Sequence, residues 1–364
     1  MHKSTAWPLA ALYAALVVYA SLFPFWEWRD QGVATWEYLL APSPRYWTGF
    51  DVAINVVGYV PLGLLVGLGA LRSGWRRPSA WWGPVGVMLL SLLMEGLQSY
   101  LPSRVPSRED FLLNALGGWS GAALAFVLER AGAIDQWNAL RSRWFVPHSR
   151  GGIVLLCTWP VGLLFPSAVP LGQGQVVERL QGLLTVVLED SRFEAWLPQR
   201  ATGLLPLAPG TEMLCVVLGL LIPCLLGFCV VRAAWRRAVL VGVALAFAVL
   251  VSGLSAALSW GPVHAWAWMD GPAQAGLWVG TLLALLLVVA PWRANAALAL
   301  LALGVYLSLL NQAPEGPYFA QTLQLWEQGR FIRFNGLAQW VGWLWPYAAL
   351  VYLLGYIGRP PLKT

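Results

Sequence analysis

The sequence predicts an all-α fold, a polytopic transmembrane helical bundle with about ten spanning helices and both termini in the cytoplasm. Three observations predict it: few charges, ten long apolar runs, and arginines on alternate sides of those runs. Of the 364 residues, 58% are hydrophobic and only 11% are charged, whereas a soluble domain carries about 25% charged residues. So few charges could not cover the surface of a soluble protein of this length.

The apolar runs approach the length of helices that cross a bilayer, which need about 20 apolar residues. They cover residues 5–26, 52–71, 81–100, 111–129, 152–170, 212–231, 238–259, 274–291, 294–311 and 337–357. The first run is too long for the core of a signal peptide, so it is expected to remain as a helix. A tight turn at Pro291, Trp292 and Arg293 separates the eighth run from the ninth.

The segments between the runs alternate between basic and mixed charge. One alternate set carries Lys3, Arg72, Arg76, Arg77, Arg130, Arg141, Arg143, Arg150, Arg232, Arg236, Arg237, Arg293, Arg359 and Lys363. The other set mixes signs and contains the longer segments. Lys and Arg are enriched on the cytoplasmic side of a membrane. The basic side and both termini are therefore predicted to be cytoplasmic.

The same distribution argues against several classes of function. The net charge of +6 is spread over short segments, without the basic stripe that nucleic-acid binding needs, so no nucleic-acid partner is expected. The four cysteines fall inside apolar runs and are expected to be buried free thiols, with no metal or disulfide role. No cofactor is expected, and the oligomeric state is not predicted.

Two of the outer segments are amphipathic. Apolar residues recur at helical spacing in residues 176–188 and, more weakly, in 319–331. Such segments are typical of helices that lie on the outer leaflet. Ordinary capped loop helices would show the same pattern, and both interpretations stay open.

Polar and charged side chains gather at the outer end of the second, third and fourth runs. They are Asp51, Asn55, Glu95, Gln98, Arg104, Asp110 and Asn114. The residues on each run are three or four apart, so they share a helix face. Runs joined by a short segment are antiparallel neighbours. These side chains are therefore expected to converge in one outer-leaflet pocket, with Arg104 as its roof.

Structural roles compete with this interpretation for most of the set. Asp51 and Asp110 each follow a Thr or Ser by three residues, which is the capping-box pattern. The two asparagines could link helices by hydrogen bonds, and Arg104 could bind a lipid phosphate.

Glu95 is the residue that these structural roles explain least. It lies inside an apolar stretch where a helix needs no cap, and a buried carboxylate needs a partner or stays protonated. Arg104 is the nearest candidate partner in sequence. A charged residue inside a span is a functional candidate by default.

These positions also resemble the VanZ-like family of bacterial membrane proteins, the family of the teicoplanin-resistance protein. The matching pattern is Asp51-x-x-x-Asn55-x-x-Gly58-x-x-Pro61-x-Gly63, Glu95-x-x-Gln98, Pro102-x-Arg104 and Asp110-x-x-x-Asn114-x-x-Gly117-x-x-x-Gly121. The resemblance covers about residues 45–130. It implies a cell-envelope role in the bacterial inner membrane and, for some members, reduced susceptibility to glycopeptides.

The chain departs from the family in one motif and extends beyond it. Family members often have Lys and His where this chain has Val52 and Asn55, so the usual proton carrier is missing. We expect a VanZ-like module of four transmembrane helices at 1–135. Residues 136–364 are expected to form a C-terminal transmembrane region of unrecognised type, with about six helices.

The favoured function is binding of a membrane lipid or lipid-linked envelope precursor by its headgroup. An enzyme that uses carboxylates on such a lipid is an alternative, but no Ser-His-Asp or Cys-His set lies on the outer face, and the lone His264 is on another segment. A transporter or flippase is compatible with the helix number, although the charged cluster lies at one face instead of the midplane. A scaffold for an envelope complex is the fourth possibility.

Overall fold

The computed structural model describes residues 6–22, 25, 27–32, 34–40, 49–75, 81–147, 149–188, 207–314 and 332–358. Within these ranges the chain forms twelve α-helices and no β-strand, which confirms the all-α fold class. The helices are α1 (Ala6–Leu22), α2 (Gly49–Arg72), α3 (Trp82–Gln98), α4 (Arg108–Arg130), α5 (Ala133–Trp144), α6 (Arg150–Leu163), α7 (Val177–Leu188), α8 (Pro209–Val230), α9 (Ala234–Trp260), α10 (Gly271–Leu287), α11 (Trp292–Leu310) and α12 (Ile332–Ile357).

Each of the ten predicted runs corresponds to one of these helices, and the chain is a multi-pass membrane protein. Among the described residues, six helices are long and apolar enough to cross a membrane, namely α2, α4, α8, α9, α11 and α12. The helices α1, α6 and α10 are apolar but shorter, and α3 has 17 residues. The total of ten spans therefore stays a prediction.

The structure shortens one predicted run and adds one helix. The fifth run was expected to extend over 152–170, but α6 ends at Leu163. Pro166 has no backbone N–H to bond within a helix and disfavours helical geometry at Phe165. The polar helix α5 has no apolar run and was not predicted. Residues 177–188 do form a helix, α7, whereas 319–331 lie outside the described residues.

The chain divides into two compact units, Met1–Ala139 and Leu140–Thr364. In the first unit α2 packs along α4, with α1 and α3 against them. Glycines make this contact close: a Cβ on Gly117 would clash with the carbonyl oxygen of Val56, and a Cβ on Gly121 would clash with that of Val60. The small-residue spacing thus brings the backbones of α2 and α4 together.

In the second unit α8 is the central helix. It packs against α6, α9, α10 and α11. In its most apolar stretch of 18 residues, 89% of the residues are buried. Three of the four free cysteines lie on it and are buried, as predicted. Cys157 is exposed, so its predicted burial was wrong, because it lies on the outward face of α6.

The outward faces of several helices are apolar. On α10, Leu282 and Leu286 are 59% and 63% exposed. On α9, only 28% of the residues in its most apolar stretch of 18 are buried. Apolar surface of this extent would be unfavourable in water. Contact with lipid chains satisfies it, as the composition predicted.

Candidate functional site

The buried polar side chains of the first unit converge at one end of α2, α3 and α4. In the part of this unit that the structure describes they are Asn55, Ser91, Glu95, Gln98, Ser99 and Asn114. We call these six, with Arg104, Ser107 and Asp110, the polar cluster. The side chain of Asp51 lies outside the described part of the structure, so its expected place in this group stays a prediction.

Glu95 caps the helix that follows it. Its side chain is 3% exposed, and its Oε2 accepts a hydrogen bond of 3.1 Å from the backbone N–H of Ser107. Ser107 is the N-cap of α4, and its Oγ accepts a bond of 3.0 Å from the N–H of Asp110. In a capping box the acidic residue of the new helix would itself bind the N-cap N–H. Here Glu95, on α3, binds the N-cap N–H instead.

Because Glu95 binds the N–H of Ser107, the Asp110 carboxylate is available to another helix. Asn55 Nδ2 of α2 donates a short hydrogen bond to Asp110 Oδ1. Asp110 therefore acts as more than a favourable charge at a helix N-terminus, because its carboxylate joins α2 to α4. The predicted convergence of Asn55 and Asp110 is present in the structure.

Asn114 lies one turn deeper and has an unmatched polar atom. It is 4% exposed, and its Nδ2 donates to Ser91 Oγ of α3 at 3.1 Å. Its Oδ1 is buried and has no hydrogen-bond partner among the described residues. Exchanging the oxygen and nitrogen of the amide would let Ser91 donate, but it would leave an N–H unmatched instead. One polar end of Asn114 thus lacks a partner in either orientation.

Gln98 and Arg104 bind the end of α1. Gln98 Nε2 donates to the carbonyl oxygen of Ser21 at 3.1 Å, and Arg104 Nη2 donates to that of Ala20 at 3.2 Å. Both carbonyls belong to the last turn of α1, where they have no partner within the helix, and a cation is favourable there. The expected pairing of Arg104 with Glu95 and its role as a roof stay predictions.

Described residues of the segment between α1 and α2 contact the C-terminal end of α3. Gly96 faces the ring of Trp36, which a Cβ on this glycine would meet at 3.0 Å. The backbone N–H of Arg29 donates to Tyr100 O at 3.0 Å. Burial, and then the negative charge of Glu95, raise the pKa of the Tyr38 hydroxyl to about 12. The Tyr38 hydroxyl donates to the carbonyl oxygen of Leu92 at 3.4 Å, three residues before Glu95 on α3.

Two members of the polar cluster were missed as partners in the sequence. Ser91 is four residues before Glu95 and seven before Gln98, so helical spacing alone could have added it to the same face. Ser107 was expected to cap α4, but no sequence pattern predicts a hydrogen bond from its backbone N–H to Glu95 on another helix. Within the described residues no group of three or more His, Cys, Asp or Glu side chains could hold a metal.

Comparison with known proteins agrees with the resemblance in the motifs. Residues 4–129 match the VanZ/LLP1 family model, a segment that includes α1 as well as the polar cluster and amounts to about a third of the chain. No curated protein and no solved structure gives a significant match. Residues 4–129 are therefore similar to the VanZ/LLP1 family, within a chain that forms a multi-pass membrane protein.

Proposed function

We propose that the first unit binds the polar headgroup of a membrane lipid or lipid-linked envelope precursor at the polar cluster. The unmatched polar end of Asn114 is the observation that carries this proposal. A buried polar group without a partner costs about 1–3 kcal/mol. A hydroxyl or amine of a headgroup would remove that cost by donating to Asn114 Oδ1.

The neighbouring groups suit the same ligand. Glu95 and Asp110 are carboxylates, which accept hydrogen bonds from hydroxyl and ammonium groups, and Arg104 is a guanidinium, which favours phosphate oxygens. All three lie within one short stretch of chain, between the end of α3 and the first turn of α4. We propose that the bound molecule lies in the outer leaflet of the bacterial inner membrane.

Native mass spectrometry of the detergent-purified full-length protein tests this proposal through Glu95→Gln. The substitution removes the negative charge, but its amide oxygen can still accept the N–H of Ser107, so the cap of α4 is retained. We expect a defined lipid on the wild type and at least about a tenfold loss in the variant, since a hydrogen bond to a charged group contributes about 1.5–3 kcal/mol. Arg104→Ala should lose the same lipid.

Glu129→Gln is the matched control, because Glu129 is exposed at the opposite end of α4. It should retain the lipid at the wild-type level. If all folded variants carry the same bulk lipids, the polar cluster is only capping and interhelical bonding, and Asn114 then binds an ordered water. A headgroup that is chemically altered on incubation would instead favour the enzyme alternative.

The cellular consequence proposed from the family is reduced susceptibility to teicoplanin. Expression of the wild type in a teicoplanin-sensitive bacterium should raise the minimal inhibitory concentration, and expression of Glu95→Gln at an equal membrane level should not. Equal protection by both proteins would separate the cellular effect from the polar cluster.

A further inference from the structure

Three arginines of the second unit line a single cavity at its arginine-rich end. The cavity has a volume of about 680 Å³, which lies within the usual range for ligand pockets. Arg141 comes from the end of α5, Arg150 from the start of α6, and Arg232 from the segment between α8 and α9. Spans commonly end in arginines that only set orientation, but these three converge.

A short antiparallel pairing of backbone holds the wall of this cavity. Val146 N–H donates to Val230 O at 2.8 Å, and Arg232 N–H donates to Trp144 O at 3.0 Å. The Nε of Arg232 then donates to Phe145 O at 2.7 Å, which fixes the direction of its guanidinium. The side chains of Arg141 and Arg150 make no hydrogen bond or ion pair with any other described residue.

The first turn of α6 also lines this cavity. Ser149 and Gly151 line it beside Arg150, and the first N–H groups of a helix have no partner within the helix. A Cβ on Gly151 would lie 2.8 Å from the Tyr352 ring, so this turn approaches the ring closely and a larger residue would displace it. A helix N-terminus favours an anion.

No described acidic residue of the second unit lies beside these arginines. In its described ranges 140–147, 149–188, 207–314 and 332–358, the acidic residues are Glu178, Glu212 and Asp270. Asp135, which lies on α5 with Arg141, makes no ion pair with it. Glu212 is in the first turn of α8 and Asp270 is the N-cap of α10, whereas Arg232 follows the other end of α8. Glu178 lies in the first turn of α7, after the far end of α6.

We infer that this cavity is a binding site for a phosphate group, supplied by an anionic phospholipid of the predicted cytoplasmic leaflet or by a soluble phosphate compound. Three guanidinium groups and a helix N-terminus match the charge and the hydrogen-bond acceptors of a phosphate. Basic pockets between transmembrane helices on the cytoplasmic side are typical sites for anionic headgroups. The site belongs to the second unit and does not depend on the function proposed for the first.

The test is binding to the purified full-length protein of two probes, phosphatidylglycerol by native mass spectrometry and inorganic phosphate by calorimetry. Phosphatidylcholine serves as the neutral lipid reference. We expect one of the anionic probes to bind, and the Arg141→Ala/Arg150→Ala variant to bind it at least about tenfold more weakly. Lipid binding that phosphate does not displace identifies a headgroup site, and phosphate binding without lipid preference identifies a soluble ligand.

Arg293→Ala is the matched control, because Arg293 lies at the same end of the unit but stacks on Trp292 and does not line the cavity. It should bind as the wild type does. If the double variant elutes as an aggregate, the single Arg150→Gln variant replaces it, since Arg150 is exposed and removing its charge alters no described contact. Equal binding of both probes to wild type and variants, or binding of neither, would overturn the inference.

Discussion

Gly121 tests the packing that brings the polar cluster together. A Cβ at this position would lie 2.8 Å from Leu64 N and closer still to the carbonyl oxygen of Val60, both of which are backbone atoms of α2. Backbone atoms cannot move aside as the end of a flexible side chain can. In Gly121→Ala, α2 and α4 must therefore separate locally.

The size of the effect follows from that separation. Inserting a methyl group into a tightly packed contact costs about 1–3 kcal/mol. A gap of about 0.5–1 Å along the rest of the interface also loses a quarter to a half of the dispersion energy there. We therefore expect Gly121→Ala to lower the free energy of unfolding by about 2–4 kcal/mol.

Gly58→Ala is the control, because Gly58 lies on the same pair of helices but a Cβ there would meet no atom within 4 Å. Its expected effect is neutral to stabilising by up to about 1 kcal/mol, since alanine reduces the freedom of the unfolded chain. Thermal unfolding of the detergent-purified variants measures both. Equal melting temperatures for Gly121→Ala and Gly58→Ala would refute the close approach of α2 to α4.

Two further predictions concern helix caps. Ser107→Ala removes the Oγ that accepts the N–H of Asp110 but keeps the backbone N–H bound to Glu95. It should lower the free energy of unfolding by about 1 kcal/mol, measured by thermal unfolding. Ser103 is exposed in the same loop, so Ser103→Ala is the control and should have no effect. Asp270→Ala removes the side chain that accepts the N–H of Ala273 at 2.9 Å and should also cost about 1 kcal/mol. An unchanged melting temperature in either variant would show that solvent replaces the cap.

Much of the fold could be predicted because length and apolarity decide where a helix can cross a membrane. The turn at Pro291 does separate two helices, since α10 ends at Leu287 and α11 begins at Trp292. The end of α6 at Leu163 was harder to predict, because residues 164–170 are apolar apart from Ser167 and only the prolines indicate the break. The polar helix α5 has no apolar run, so the membrane criterion could not detect it.

The pairing within the polar cluster was less predictable than its membership. Helical spacing places Asn55, Asp110 and Asn114 on particular faces, but it cannot say which faces meet. Those are decided by the rotation of each helix, and here the glycines of α4 set the rotation by allowing α2 to approach on one side only. The spacing of polar residues therefore predicted where the cluster lies, whereas its hydrogen bonds depend on how the helices pack.

Capping and binding are not exclusive roles for this cluster. Because Glu95 accepts the N–H of Ser107, the carboxylate of Asp110 can bond to Asn55, so one buried side chain on α3 affects the contacts of both α2 and α4. A ligand that attracts Glu95 would have to bind beside that N–H or replace it, and either event would alter the first turn of α4. Asn114, one turn deeper on the same face, would then lie next to the bound group. Under the proposed function, the bonds that cap α4 and join α2 to it would therefore change when a headgroup binds.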